Sequence, residues 1–283
     1  MAVLEPQVKP AKFDYIRAES LAEVHAVLAQ EGGDARVLAG GQTLVPMLSM
    51  RFARPKVLID IMRIPALAAI ESQRGVINIG AGVRQAELMT WLDRNRGVQP
   101  LLSAAMPLVG HAQTRSRGTV CGSVAHADPS AEIPLVLTAL GGAIVLSGKR
   151  GKRRVRAEDF FIGPMSTARQ DDEIIEAVQV PAAQPSHGYA FREFARRHGD
   201  FAVVACAAVA GAHSLRLAIG GVGDRPIVRD IGELYGDMLD QALDAFAFDL
   251  EARDDLHATA RYRRELVRQL GRQTIDEARE CRA

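Results

Sequence analysis

Ala35-Arg36-Val37-Leu38-Ala39-Gly40-Gly41-Gln42-Thr43-Leu44-Val45-Pro46 is the stretch around which the chain is organised. A short apolar run, 37–39, stops at two consecutive glycines. It then passes through Gln42-Thr43 into an apolar, helix-compatible segment with Pro46 near its start. Paired glycines admit positive φ and remove two Cβ atoms, so main-chain N–H groups can converge on an anion. The start of a helix adds unpaired donors and partial positive charge, and Thr43 adds a hydroxyl. Physically this is a strand–turn–helix cradle for phosphate. An ordinary tight turn is the alternative that one such turn leaves open.

A second stretch has the same character: Thr114-Arg115-Ser116-Arg117-Gly118-Thr119-Val120-Cys121-Gly122-Ser123-Val124-Ala125-His126-Ala127-Asp128-Pro129. Rich in glycine and hydroxyls, it is expected to be irregular and to aim backbone donors inward. His126 has no carboxylate or nucleophile at a defined spacing, so it reads first as a loop-ordering hydrogen-bond donor.

The elements around these stretches alternate. Phe13 and Tyr15 fit a half-buried strand. Ser20 with Glu23 forms a capping box for a helix whose apolar face is Leu21, Val24, Val27 and Leu28, ended by Gly32-Gly33. Strands follow at 57–59 and 77–80, then helices through 85–91, 99–109 and 132–140. A hairpin spans 144–146 and 153–155, and a strand at 173–180 ends at Pro181. This order implies an α/β arrangement. Beyond Pro181 three consecutive strands, 189–194, 202–210 and 214–220, form an antiparallel meander, and from Ile231 onward the chain reads as helical. The domains are expected at 1–180, with a subdomain split near 57–62, and at 181–283.

The totals narrow the function classes. The 283 residues suit one large or two modest domains. Lys plus Arg is 35 against 34 for Asp plus Glu, so the net charge of +1 gives no support to a nucleic-acid partner. Aromatic residues are 5%, too few for base-stacking platforms. Residues 1–10 lack a basic region followed by an apolar one, so no signal peptide is expected. The longest near-apolar run, 201–212, is too short for a membrane span. Cys121, Cys206 and Cys281 are far apart and form no CxxC, which excludes a structural zinc site or an iron–sulfur cluster built from this chain. The compartment reads as cytoplasmic and reducing.

Several motifs fail on spacing. The segment 142–149 resembles a phosphate-binding loop but has one spacer residue too many, and Arg150 stands where Ser or Thr should bind Mg²⁺. Gly80-Ala81-Gly82 starts a dinucleotide fingerprint but has Gln85 in place of its third glycine. The basic clusters at 149–156 and on the last helix (Arg261, Arg263, Arg264 and Arg268) read as solvated faces first and docking patches for an acidic partner second. No catalytic or metal-binding residue is assigned.

Two glycine–hydroxyl loops with no metal motif and no catalytic triad suggest a phosphorylated cofactor. The segment 38–46, with Leu58-Ile59-Asp60 after it, resembles the first FAD-pyrophosphate loop of the flavoprotein (medium) subunits of molybdenum hydroxylases, the carbon monoxide dehydrogenase and xanthine dehydrogenase family. The segment 117–129 looks like their second loop. Gly199-Asp200-Phe201-Ala202 and the segment 255–264 resemble landmarks of their C-terminal domain. The likeness runs in order from about Phe13 to the end of the chain.

The resemblance implies an α+β fold: a vanillyl-alcohol-oxidase (PCMH)-type FAD-binding domain of two α/β subdomains, then a three-stranded antiparallel sheet with a helical bundle. It implies that Ala39, Gly40, Gly41, Gln42 and Thr43 hold the FAD pyrophosphate and that Thr119, Gly122 and Ser123 complete the cradle. Glu132 falls where relatives carry an Asp that contacts the adenosine half of the cofactor or its phosphates. Ile174 and Ile175 pack against the flavin ring or are plain strand core, and Phe201 matches an aromatic beside the isoalloxazine. Leu38, Leu44, Val109, Gly110, Thr114, Gly118 and Ala125 complete the implied cofactor-binding set. Arg192-Glu193 stands where relatives often have a Lys near the flavin, and Cys121 takes a place usually held by Ile or Val.

The implied role is an FAD-carrying electron-transfer subunit. Its expected partners are a small [2Fe–2S] subunit and a large molybdopterin subunit, assembled as a dimer of heterotrimers. Two other readings stay open. One is a free-standing flavin oxidoreductase of the same FAD fold, which needs acid–base residues of its own. The other is a flavin-free docking subunit, which a colourless preparation would reveal.

Overall fold

The computed structural model describes residues 10–282. The signal-peptide reading of the N-terminus falls almost wholly on residues 1–9, which lie outside the described residues. Strand β1 (Asp14–Arg17), helix α1 (Leu21–Glu31), strand β2 (Ala35–Leu38), helix α2 (Leu44–Ser49) and strand β3 (Val57–Asp60) form the first unit. β1 and β2 both pair parallel to β3, giving the order β1-β3-β2. Parallel neighbours need a crossover; α1 provides one, and the glycine turn with α2 leads into β3. Ser20 Oγ accepts from the Glu23 amide at 3.2 Å, while the Glu23 carboxylate takes the Glu19 amide at 2.9 Å, one residue before the partner a capping box predicts. Val24 and Leu28 are the buried positions of α1.

The second sheet has the order β4-β5-β10-β6-β7 and is antiparallel throughout. It starts with the hairpin β4 (Ile70–Gln73) and β5 (Val76–Gly80), then leaves it for helices α3 (Gln85–Arg94), α4 (Pro100–Ala105), α5 (Ala112–Arg117), α6 (Val120–His126) and α7 (Glu132–Leu140). It resumes with β6 (Ala143–Gly148) and β7 (Gly151–Arg156). The one-turn helix α8 (Ala157–Phe160) and the small hairpin β8 (Phe161–Gly163) and β9 (Ser166–Thr167) lead to the central strand β10 (Glu173–Pro181). β3 belongs to the first sheet, and the second begins at Ile70.

Three expectations are corrected here. The segment 114–129 is largely helical: α5 and α6 flank Gly118, and Thr119 caps α6 by accepting from the Gly122 amide at 3.0 Å. Its glycine and hydroxyl content is capping chemistry for short helices rather than a sign of irregular chain. His126 accordingly sits in the last turn of α6. The helix expected over 99–109 breaks after Ala105 into a 3₁₀ turn at Met106–Leu108, because Pro107 cannot donate to the preceding turn. β4 was not anticipated; its 70–73 sequence, Ile-Glu-Ser-Gln, is exposed on most of its length and carries little apolar signal.

The C-terminal sheet has four strands, not three: β11 (Gly188–Phe194), β12 (Val204–Ala210), β13 (Leu215–Gly220) and the additional edge strand β14 (Ile227–Asp230), all antiparallel. β14 follows Pro226 and carries Arg229 and Asp230, an edge-strand composition that hides it from pattern reading. Helices α9 (Gly236–Asp249) and α10 (Ala260–Glu280) cover one face. Ala190, Cys206, Ala208, Leu217 and Ile219 point to those helices, whereas Phe191, Ala205, Ala207 and Ala218 point into the core shared with the second sheet and α7. Burial on both faces explains why β12 reads Val-Ala-Cys-Ala-Ala-Val-Ala without alternation.

On the Arg-rich α10, Arg261 and Arg268 are exposed as expected, and one arginine departs from that face. Arg268 pairs with Asp244 at 2.9 Å and Arg272 with Asp240 at 2.6 Å, both on α9. Arg263 is buried, not on a solvated face. The hairpin cluster at 149–156 lies on an exposed face, as expected, and is paired there across the sheet, Lys152 to Glu176 at 2.6 Å and Arg153 to Glu173 at 2.6 Å.

Candidate functional site

A cavity of about 660 Å³ opens where the first unit, the second sheet and the C-terminal sheet meet. The glycine turn after β2 forms one wall, and the α5–α6 junction forms the next. These two segments, about eighty residues apart in sequence, touch through bare backbone. A Cβ on Gly40 would lie 2.1 Å from the Arg117 carbonyl oxygen and 2.7 Å from Gly118 Cα. Only glycine permits this approach. Gly41 then takes φ +71°, turning the chain into α2.

The second wall is pinned from behind. The Gln85 amide donates to the Gly118 carbonyl at 2.8 Å, the Val120 amide to the Val83 carbonyl at 3.1 Å, and the Gly118 amide to Thr114 at 2.7 Å. The incomplete fingerprint at Gly80-Ala81-Gly82 is therefore structural: it carries the β5–α3 connection on which the α5–α6 junction rests. Gln85, the first residue of α3, is buried and lines the cavity, and its Oε1 has no partner among the described residues.

The cavity fits a dinucleotide on chemical grounds. Among the described residues, the amides of Gly40, Gly41, Gln42 and Thr43 donate no hydrogen bond within the chain, so four donors are available beside the cavity. The α6 N-terminus adds its own positive end, although with seven residues its dipole is short. Beside the glycine turn the lining is small, but elsewhere it mixes apolar side chains such as Ile174 and Ile175 with polar and charged ones such as Gln85, Glu132 and Arg169, as a site for a flat ring system with a polar linker allows.

Of the residues implied as cofactor-binding, the structure brings Ala39, Gly40, Gly41, Gln42, Thr43, Leu44, Val109, Gly110, Thr114, Gly118, Thr119, Gly122, Ser123, Ala125, Glu132, Ile174, Ile175 and Phe201 to this one cavity. Leu38 is set apart: it lines an adjoining groove of about 470 Å³ on the other side of the glycine turn, with Tyr15, Arg84 and Arg117. Ile174 and Ile175 are buried strand residues that also line the cavity. Phe201 stands at the mouth with 66% of its surface exposed.

Cavity residues that sequence reasoning missed include Gln85, Met165 from the β8–β9 hairpin, Arg36 and Arg169. Arg36 is exposed and donates to the Gly33 and Ala35 carbonyls at 2.8 and 2.9 Å, and nothing local shows that it borders the cavity. Arg169 anchors the approach to β10 through the carbonyls of Gln170 at 2.7 Å and Glu173 at 2.8 Å. Burial lowers its guanidinium pKa; Asp171 works against that shift and the neighbouring Arg36 adds to it.

Glu132 opens α7 and is 5% exposed. Burial raises its carboxyl to about 7, against the pull of its own backbone amide, and Asp128 adds to the rise. Glu193 on β11 faces the same core, and its Oε2 is buried without a partner among the described residues. Burial raises this carboxyl to about 8, with the Glu132 charge contributing.

Comparison with known proteins fits this geometry. Residues 11–183 match the family described as the FAD binding domain in molybdopterin dehydrogenase, and residues 189–278 match the CO dehydrogenase flavoprotein C-terminal domain. The chain is 39% identical over 226 residues to caffeine dehydrogenase subunit beta of Pseudomonas sp., across 78% of this chain and 76% of that one. It is 37% identical over 257 residues to the nicotine 6-hydroxylase medium subunit of Paenarthrobacter nicotinovorans, across 87% and 90%. A chain of the carbon monoxide dehydrogenase of Hydrogenophaga pseudoflava, solved without the Mo-pyranopterin moiety of its molybdenum cofactor, superposes with a TM-score of 0.91 at 32% identity, over 98% of this chain and 100% of that one. With both glycine turns on one cavity and both halves of the chain matched, this protein belongs to the FAD-binding medium subunits of the molybdenum hydroxylases, the carbon monoxide and xanthine dehydrogenase family of oxidoreductases.

Proposed function

We propose that this chain carries electrons through FAD, receiving them from the [2Fe–2S] clusters of a small partner subunit and delivering them to an external acceptor. A large molybdopterin subunit oxidises the substrate, and the assembly is a dimer of heterotrimers in the cytoplasm. The observation that carries the reading is the backbone contact between the Gly40 turn and the Arg117-Gly118 junction at the edge of one cavity. In this reading residues 1–180 form the FAD-binding domain and 181–283 the C-terminal domain.

The residues divide the work. The amides of 40–43, with Thr119 and Ser123 opposite, hold the diphosphate. Glu132 faces the adenosine half or its phosphates. Ile174, Ile175 and Phe201 flank the ring and keep water from it. When bound, FAD supplies exchange between single-electron carriers and an acceptor that can take two electrons. The cysteines favour this role: Cys121 and Cys206 are buried in separate cores, and burial pushes the Cys121 thiol up to about 12, so neither is placed to ligate iron. Among the described residues no cluster of His, Cys, Asp and Glu could hold a metal.

The test is to co-express the chain with its iron–sulfur and molybdenum partners and to follow the flavin. Acid treatment should release about one FAD per chain. The visible flavin band should bleach on adding the large subunit's substrate without oxygen, and only when the small subunit is present. A complex that turns over with no flavin in this chain would overturn the proposal.

A further inference from the structure

Phe201 projects from the β11–β12 connection, and that loop has little holding it from within. Among the described residues its backbone ties are Asp200 N to the Arg197 carbonyl at 3.1 Å and Val203 N to the Phe194 carbonyl at 2.8 Å. From outside, the loop meets α5 and α10: the Gly199 backbone lies against His111 and Gly110, where a Cβ would fall 2.6 Å from the His111 ring, and α10 supplies the side-chain hydrogen bonds. Arg263 Nη1 donates to the Val203 carbonyl at 2.8 Å and to the Gly221 carbonyl at 2.7 Å, and Nη2 donates to Asp255 Oδ2 at 2.5 Å. Asp255 is itself fixed, because its Oδ1 accepts from the amides of His257 at 2.8 Å and Ala258 at 2.9 Å.

Gly221 extends the chain of contacts. Its amide donates to the Pro129 carbonyl at 2.8 Å, in the segment that places Asp128, Ala131 and Glu132 on the cavity wall. One guanidinium therefore joins two walls of the cavity, the Phe201 loop and the start of α7. Arg263 is 5% exposed. Its partner Asp255 is half exposed, and a buried guanidinium adds little to stability compared with apolar packing of the same volume, so helix packing alone does not call for it. What apolar packing cannot do is aim two carbonyls in fixed directions, which the guanidinium fork does.

We propose that Arg263, oriented by Asp255, is a positioning residue that sets where Phe201 meets the flavin ring. The proposal rests on the reading that the cavity holds FAD. It assigns a task to the 255–264 segment, whose resemblance to the family came without a role.

The experiment uses the full chain in its complex and compares Arg263→Lys, Asp255→Asn, Phe201→Ala and the double variants. FAD per chain, the visible circular dichroism and fluorescence of the bound flavin, and thermal unfolding are measured on each. Lysine keeps the charge but loses the fork. Arg263→Lys should keep FAD, with dissociation about fivefold faster, and should change the flavin dichroism in the direction that Phe201→Ala does. In the Phe201→Ala background the same substitution should change that signal by less than half as much, because contacting sites are not additive. A lowered unfolding temperature with a wild-type flavin signal would overturn the proposal, and so would simple additivity with Phe201→Ala. If Arg263→Lys does not fold, Asp255→Asn, altering a half-exposed carboxylate, carries the same two outcomes. A wild-type chain that binds no FAD would instead refute the underlying reading, and the wild-type FAD content separates the two failures.

Discussion

Alanine at position 40 should give a folded, colourless protein. The added Cβ would sit 2.1 Å from the Arg117 carbonyl oxygen, 2.7 Å from Gly118 Cα and 2.8 Å from the Arg117 carbonyl carbon. All three atoms are backbone, so no rotamer change relieves the contact. The two turns must separate by more than about 1 Å to reach ordinary van der Waals spacing. They are also the two sides of the proposed diphosphate cradle, and a displacement of that size at a positioned site costs about a hundredfold. Gly122→Ala makes a useful contrast. Its Cβ would meet the Thr119 hydroxyl at 2.8 Å, a side-chain atom that can turn away, at the cost of about 1 kcal/mol of helix cap. The expected order of FAD retention is wild type, then Gly122→Ala, then Gly40→Ala with almost none. FAD released per chain measures it, with far-ultraviolet dichroism as the control for folding. Stoichiometric flavin in Gly40→Ala would show that the two turns do not form the cradle.

That contact marks how far sequence reading reached. The glycine pair, the capped α1, the 144–155 hairpin and the strand at 173–180 carry local signals, and each appears in the structure at the expected place. What stayed hidden depends on distant partners. Nothing local shows that Gly118 lies against Gly40, that Gln85 reaches the cavity, or that Arg263 leaves the solvated face of an Arg-rich helix for two carbonyls on other elements. Among four arginines within eight residues, charge pattern alone does not separate the one that is buried. β14 and β4 were missed for a related reason: edge strands bury little, so their sequences need little apolar alternation.

The flavin-free chain should lose stability as pH rises from about 5 to about 8, the reverse of what ion-paired carboxylates produce. Glu132 has an ordinary carboxyl value of 4.5 when exposed and about 7 in the fold, because burial disfavours its charge. Between those two values the folded state holds more protons than the unfolded one, so stability falls with pH across that window and levels off above it. The shift corresponds to about 3 kcal/mol. Its place at the start of α7 works the other way, but a helix N-terminus stabilises a carboxylate by only about 0.3–1 kcal/mol, so burial wins. Glu193, raised to about 8, extends the fall upward in pH. Glu132→Gln should therefore flatten the profile of unfolding temperature against pH between 5 and 7 and raise stability at pH 8. Bound FAD adds a requirement: a charged Glu132 beside a diphosphate is repelled, so FAD affinity should weaken across the same window in the wild type and hold steady in Glu132→Gln. A glutamine variant whose stability and FAD affinity track pH as the wild type does would place the titrating group elsewhere and remove Glu132 from the cofactor's surroundings.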